Sequence, residues 1–274
     1  MSSSPRLTIA LISEVFCGPD GTARLHRRLR EARQAGAEVA LLPELPLNPW
    51  SPATKTPHDD DAEVPGGPRH RLLSAAARNT GVAVVAGAIV RDPDTERRHN
   101  TALVFDAQGI LVATYAKVHL PDEPGFHEPC HYEPGRRMAE PIGAFAVPIG
   151  VQICSDINRP EGSHVLGAMG AAAILNPRAT EAASFDRWKV VFRANALTSC
   201  TYVLSVNRPA PEQGVPLGGP SIAVDPGGNV LVETTKPVAV VTIEQRAVDA
   251  ARLKYPGYLA VNAALYAGAW RRLV

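Results

Sequence analysis

Phe145-Ala146-Val147-Pro148-Ile149-Gly150-Val151-Gln152-Ile153-Cys154-Ser155-Asp156-Ile157-Asn158 is an apolar run that ends on a thiol and passes at once into polar residues. Such a run reads as a buried strand whose end presents Cys154 in a turn, which is how a fold offers a nucleophile. A cysteine taken alone is more often core packing, since free Cys is among the most buried residue types. Two other segments of the same form alter that balance. Leu41-Leu42-Pro43-Glu44-Leu45-Pro46 carries a single carboxylate between prolines that fix the local backbone. Thr114-Tyr115-Ala116-Lys117-Val118-His119-Leu120 sets a lysine at the end of another strand-like stretch. Singly, Glu44 reads equally well as a surface loop residue and Lys117 as a solvated strand end. A thiol, however, attacks as thiolate, and needs a base or a cation to lower its pKa from about 8.5. Glu44 and Lys117 are those two groups.

Working outward, residues 7–12 read as a first strand, 22–34 as a helix stopped at Gly36, and 38–42 as a second strand stopped at Pro43. Strand, helix and strand in succession imply α/β layering. Residues 51–68, rich in Pro, Gly and charge and including Asp59-Asp60-Asp61, read as a solvated surface loop. A helix over 69–79 and a strand over 82–90 follow. Residues 100–105 and 110–115 flank the turn Asp106-Ala107-Gln108-Gly109, and 220–224 and 230–233 flank Asp225-Pro226-Gly227-Gly228-Asn229, so both pairs read as hairpins. Between them come a helix near 164–170, a strand over 172–175, a helix over 185–197 and a strand over 201–207. The expectation is mixed sheets with helices outside, and the absence of a linker points to one domain over 1–274.

Bulk properties exclude several function classes. Lys plus Arg number 28 against 27 for Asp plus Glu, a formal charge of +1 with no basic stripe, so neither nucleic acid nor an acidic membrane surface is an expected partner. Hydrophobic residues at 45% suit a chain with a sizeable core. Runs such as 82–90 fall far short of the ~20 residues of a membrane helix. The start, Met1-Ser2-Ser3-Ser4-Pro5-Arg6, leads into a strand rather than a signal-peptide core, which implies the cytoplasm. Cys17, Cys130, Cys154 and Cys200 are scattered, without a C-x-x-C pair, as in a reducing compartment with free thiols. His127, Cys130 and His131 lie close in sequence, but in a proline-rich loop without further ligands; no metal is expected there.

In the conjunction of Glu44, Lys117 and Cys154, the chain resembles the nitrilase superfamily of carbon–nitrogen hydrolases. The resemblance extends from the Pro43-Glu44 segment through Tyr115-Ala116-Lys117-Val118-His119-Leu120 and Gly150-Val151-Gln152-Ile153-Cys154-Ser155-Asp156 to Gly219-Pro220-Ser221 and Asp225-Pro226-Gly227-Gly228. It implies a four-layer αββα sandwich, assembly as a homodimer or higher homo-oligomer, and a Glu-Lys-Cys catalytic set with neither metal nor organic cofactor. It also implies a second glutamate ahead of Cys154, for which Glu128 in Pro124-Gly125-Phe126-His127-Glu128 fits better than Glu133, which sits beside Pro134-Gly135 in a turn. Glu44 would be the base, Lys117 with the Ser155 amide the oxyanion holder, and Glu128 the residue that holds Lys117.

The substrate class follows from departures. Nitrilases of the superfamily commonly have Trp-Glu-His after the cysteine, whereas this chain has Ser155-Asp156-Ile157 with Arg159-Pro160-Glu161 beyond. That form, with Lys117-Val118-His119-Leu120-Pro121, is similar to the amidase and N-carbamoyl-amine amidohydrolase branches. A small amide or carbamoyl substrate is therefore expected ahead of a nitrile, with acyl transfer and noncatalytic binding as further alternatives. Arg178 reads either as a surface ion pair or as a bidentate ligand for a substrate carboxylate. Asn207, with Arg208, reads as a cleft residue or a turn cap, and Trp188 as packing or a substrate wall. Arg193, in Arg193-Ala194-Asn195-Ala196, lies in a segment whose form family members share, but Thr198-Ser199 stand where they often have Glu-Asn. The aromatic tail from about residue 247 to 274 holds no evident catalytic group; family analogy places it at a subunit contact.

Overall fold

The computed structural model describes residues 4–273. Its elements, in chain order, are β1 (Arg6–Ile12), α1 (Gly21–Gln34), β2 (Val39–Leu41), β3 (Ala62–Glu63), α2 (Pro68–Thr80), β4 (Ala83–Arg91), β5 (Arg98–Phe105), β6 (Leu111–Ala116), β7 (Asp122–Glu123), β8 (Phe126–His127) and β9 (Ile149–Val151). The second half continues with α3 (Pro160–Ala168), β10 (Ala173–Arg178), α4 (Phe185–Ser199), β11 (Tyr202–Asn207), β12 (Ser221–Val224), β13 (Val230–Thr234), β14 (Val238–Glu244), α5 (Gln245–Arg252) and α6 (Ala263–Trp270).

One sheet runs in the order β14-β1-β2-β4-β5-β6, with β3 added to β4, and the other β13-β12-β11-β10-β9. Each combines a parallel set (β1, β2 and β4; β9, β10 and β11) with an antiparallel hairpin (β5/β6; β12/β13). The period-2 alternation of the strands separates their two faces. Leu7, Ile9 and Leu11 of β1 meet Ile149, Val151, Leu175 and Leu204 between the sheets. Ala10 and Ile12 turn outward to Leu25 and Leu29 of α1 and Leu73 of α2. On the other side Ile174, Val203 and Ile222 pack against Leu166 of α3 and Phe192 and Ala196 of α4. The result is the expected αββα sandwich. Among the described residues, no helix is long and apolar enough to cross a membrane.

Local chemistry sets the element ends. Helix α2 starts at Pro68, whose missing N–H costs nothing in the first turn, and stops at Gly81 in the left-handed region, φ 64°. Helix α3 likewise opens on Pro160, so it begins ahead of the expected 164–170. The loop expected over 51–68 contains two short 3-10 turns and strand β3, which adds parallel to β4 at Ala62↔Ile89. Its acid run does lie at the surface, where Asp59 meets Arg91 and Arg98.

The topology gathers the predicted site at one edge. Because β6 lies antiparallel to β5, and β5 to β4, the C-terminal ends of β2 and β6 point the same way. Open α/β sheets characteristically bind ligands beyond the carboxyl ends of their strands. Glu44 follows β2, Lys117 follows β6, Cys154 follows β9, and Arg178 and Asn207 end β10 and β11. Gly87 in β4 lets the Glu44 turn lie close, since a Cβ there would stand 3.1 Å from the Leu45 nitrogen.

Candidate active site

Glu44, Lys117 and Glu128 are fully buried and in contact. The Lys117 ammonium donates to Glu44 Oε1 at 2.8 Å and to Glu128 Oε1 at 2.6 Å. Asn100 Nδ2 also donates to Glu44 Oε1, at 2.7 Å, which leaves Glu44 Oε2 buried with no partner among the described residues. Cys154 opens a 3-10 turn over Cys154–Asn158 with φ 46°, a left-handed backbone that non-glycine residues adopt at a cost. Leu45, next to Glu44, has φ 47°. Both turns thus hold a strained residue at the point where a reactive side chain is presented. The Cys154 thiol donates to the Ala179 carbonyl at 3.6 Å. The first N–H groups of the turn, Ser155 among them, have no partner within it.

The electrostatics follow from burial. Desolvation would lower Lys117, but Glu128, Glu44 and Cys154 raise it well above the ordinary lysine value, so the ammonium stays charged. Burial, then the charge of Glu44, pushes the Cys154 thiol well above its usual range, against the opposing pull of Lys117. The resting group is a thiol that needs a base. Burial also raises Glu128 to about 8, with Lys117 lowering it and Glu44 raising it. A carboxyl whose native pKa exceeds its unfolded value keeps a proton that the unfolded chain has lost, so stability falls as pH rises between the two values. For Glu128 that window runs from 4.5 to about 8. Glu128→Gln, which mimics the protonated form, is therefore expected to gain in melting temperature relative to the parent as pH is raised from 5 to 8; thermal melts of both proteins across the range check the sign.

Several residues that hold this arrangement were not marked by the sequence as site residues. Asp156 had served only to assign a branch. It is buried and accepts five hydrogen bonds: Oδ1 from the Val118 and His119 amides at 3.2 and 2.9 Å and from His119 Nδ1 at 2.8 Å, Oδ2 from Tyr115 Oη at 2.8 Å and the Ile153 amide at 3.2 Å. Ser155 Oγ adds a bond to the His119 carbonyl at 2.5 Å. One carboxylate thus ties the strand carrying Lys117 to the turn carrying Cys154. Asn176 donates to the Gln152 and Cys154 carbonyls, and Arg208 to the carbonyls of Glu44, Leu45 and Asn48. Buried polar residues in apolar strands, such as Asn100 and Asn176, were the available signal. Asp156→Asn would set an amide NH2 against these donors; kcat is expected to fall by about 100-fold with KM little changed, since small displacements of reacting groups carry such penalties. Steady-state kinetics with a melt of the variant checks this, and an unchanged kcat would contradict it.

Cys154 and Ser155 open onto a cleft of about 600 Å³ walled by Phe126, Thr180, Glu181, Arg187, Trp188 and others. A larger groove, about 770 Å³, runs along the edge strand β6 past Arg136 and Met138 and reaches none of Glu44, Lys117, Glu128 or Cys154. Arg178 is not at the surface and has no carboxylate partner among the described residues: wholly buried, it donates to Ser205 Oγ at 2.9 Å, to Thr180 Oγ1 and to the Pro220 carbonyl. Burial lowers its pKa to about 9. Asn207 stands behind the same wall. It donates to the carbonyls of Thr180 and Gly218 and accepts from the Thr180 amide at 3.0 Å. Trp188 both lines the cleft and packs on Phe192, with ring centroids 5.8 Å apart. Arg193 donates to the Gly228 carbonyl at 2.8 Å, away from the cleft. His127 pairs with Asp122 and His131 with the Thr54 carbonyl, while Cys130 is exposed.

Comparison with known proteins gives the chain its relatives. The family model for carbon–nitrogen hydrolases matches residues 19–253. A protein named nitrilase from Pyrococcus abyssi is 28% identical over 226 residues, 81% of this chain and 82% of the relative. Omega-amidase NIT2-A of Xenopus laevis is 28% identical over 235 residues, 82% of each chain. The crystal structure of a carbon–nitrogen hydrolase from Helicobacter pylori G27 superposes with a TM-score of 0.86 at 20% identity, covering 95% of this chain and 97% of that one.

Proposed function

We propose, from a chain that belongs to the carbon–nitrogen hydrolase family, enzymes that hydrolyse C–N bonds, that this protein cleaves a small amide or N-carbamoyl amine through a thioester on Cys154. The observation that carries the reading is the buried ammonium of Lys117 held between the carboxyl groups of Glu44 and Glu128, with the second oxygen of Glu44 left free as a base. In the first half-reaction the Cys154 S–H bond breaks, its proton passes to Glu44, and the sulfur attacks the carbonyl carbon. Lys117 and the Ser155 N–H hold the resulting oxyanion; one such preorganised donor is worth roughly 3 kcal/mol. Glu44 returns the proton to the departing nitrogen, the C–N bond breaks, and ammonia or an amine leaves. Water, deprotonated by Glu44, then attacks the thioester and the thiol is restored. Glu128 keeps Lys117 charged and in place throughout.

Amides and carbamoyl amines rank above nitriles because Ser155-Asp156-Ile157 stands where nitrilases of the superfamily commonly have Trp-Glu-His, and Asp156 is engaged by Tyr115, Val118, His119 and Ile153. Ammonia release from a panel of short amides, carbamoyl amines and nitriles tests the ranking. Release from amides or carbamoyl amines is the expected result, and release from nitriles alone would reverse it.

The tail supports a further part of the reading. Helix α6 and the segment before it expose Tyr258, Val261, Leu265, Tyr266 and Trp270, with Val261 at 71% and Leu265 at 70%. Exposed apolar side chains gathered on one segment are what a second subunit covers. Light scattering on the purified protein is expected to give the mass of a homodimer or larger assembly, and a clean monomer would remove the tail from this role.

A further inference from the structure

One buried cation takes no part in the steps above. The Arg178 guanidinium touches neutral groups only: the hydroxyls of Ser205 and Thr180, the Pro220 carbonyl, and the faces of Phe185 and Phe192, each ring centroid 5.6 Å from its central carbon. The other fully buried arginine, Arg208, has the Glu212 carboxylate at 2.6 Å. A charge stripped of water is costly unless an opposite charge answers it. The Arg178 guanidinium bonds the Thr180 hydroxyl, and Thr180 lines the same cleft as Cys154.

The backbone around Arg178 lies against the reacting groups. Its carbonyl accepts the Glu44 amide at 3.4 Å, the next carbonyl, Ala179, accepts the Cys154 thiol, and the next residue, Thr180, lines the cleft. Around Cys154 stand two carboxylates, Glu44 and Glu128, and one ammonium, Lys117. Ionising the thiol adds a negative charge to that set. We propose that Arg178 is the standing counter-charge for the anionic states of Cys154, the thiolate and the oxyanion that follows from it, acting through its field from behind the cleft wall. It is a positioning residue in this sense, not a catalytic one. No group on the helix packed over it competes for the role: on α4, Lys189 pairs with Glu233, and Asp186 and Arg187 are exposed.

The inference rests on Cys154 as the nucleophile, and its test needs no substrate, so the two can fail separately. Alkylation by iodoacetamide, followed against pH with peptide mass spectrometry to separate Cys154 from Cys17, Cys130 and Cys200, reports the thiolate directly. Arg178→Met is expected to move the midpoint of the Cys154 profile up by about one unit and to slow alkylation at neutral pH about tenfold. Arg178→Lys, which keeps a cation, is expected to move it less. Ser205→Ala removes the Nε acceptor but keeps the charge, and is expected to leave the midpoint in place. An unmoved midpoint in folded Arg178→Met, or a shift reproduced by Ser205→Ala, would overturn the proposal. Should Arg178→Met not fold, the other two decide: a smaller rise in Arg178→Lys with the midpoint held in Ser205→Ala supports the counter-charge, and an unmoved midpoint in Arg178→Lys or a rise in Ser205→Ala refutes it.

Discussion

Cys154→Ala is expected to reduce turnover of any amide substrate to background, a loss on the order of a million-fold where nucleophile and base act as a unit. The substitution is sterically mild. It removes one sulfur from a residue that keeps its left-handed φ of 46°, and it leaves the contacts of Lys117 with Glu44 and Glu128 untouched. Its effect should therefore fall on chemistry and not on folding. At neutral pH the thiol is protonated in the folded chain, and its loss leaves only a small cavity, so the variant should melt at or slightly below the parent temperature. Ammonia release by the purified variant checks the first statement and a thermal melt the second. Loss of activity together with a collapsed melt would assign Cys154 to packing, the reading its sequence alone favoured.

Lys117→Met is the second large effect, and it should strike stability and activity together. Among the described residues the ammonium is the only cation in contact with the buried carboxyl groups of Glu44 and Glu128, and breaking a buried pair by removing one partner costs about 3–5 kcal/mol. Without it, Glu44 and Glu128 can keep only part of their charge, because like carboxylates at close range oppose each other's ionisation. The variant should accordingly lose more stability at neutral than at acid pH, since protonating the carboxylates relieves the repulsion. Loss of the oxyanion donor adds a fall in kcat of about 10²–10³-fold at the least. Urea unfolding at two pH values with single-turnover kinetics measures both. Equal midpoints for variant and parent would mean that Lys117 does not carry the buried carboxylates.

The parts of this molecule legible in the sequence are those encoded locally. Alternation and punctuation located β1, β2, β4, both hairpins and the helices α1, α2 and α4 to within a residue or two, and the three strand-end segments pointed to one another because each pairs an apolar run with a lone polar residue. Missing were the C-terminal helices α5 and α6 and the strands β3 and β14. Strand β14 pairs with β1 across the chain, Arg6 against Glu244, and nothing in 238–244 announces that. Strand β3 is two residues long and exists through its bridge to β4. The site shows the same division. Glu44 and Lys117 could be named from their segments and Glu128 from the family resemblance, but the clamps that hold them, Asp156, Asn100 and Arg208, bond to segments far away in sequence, so their roles appear only when the sheets face each other. In sequence Arg178 reads as an exposed ion pair or a ligand for a substrate carboxylate, because a charged residue at a strand end is usually solvated; in the structure α4 and the chain at Pro220 close over it.

The central claim is a covalent thioester on Cys154, and rapid acid quench of the protein mixed with a turned-over amide, followed by mass spectrometry, tests it most directly. A mass increase equal to the acyl group is expected, confined to the peptide that contains Cys154 and absent from Cys154→Ala. Sustained ammonia release by Cys154→Ala, or an acyl group carried on any other residue during turnover, would contradict it.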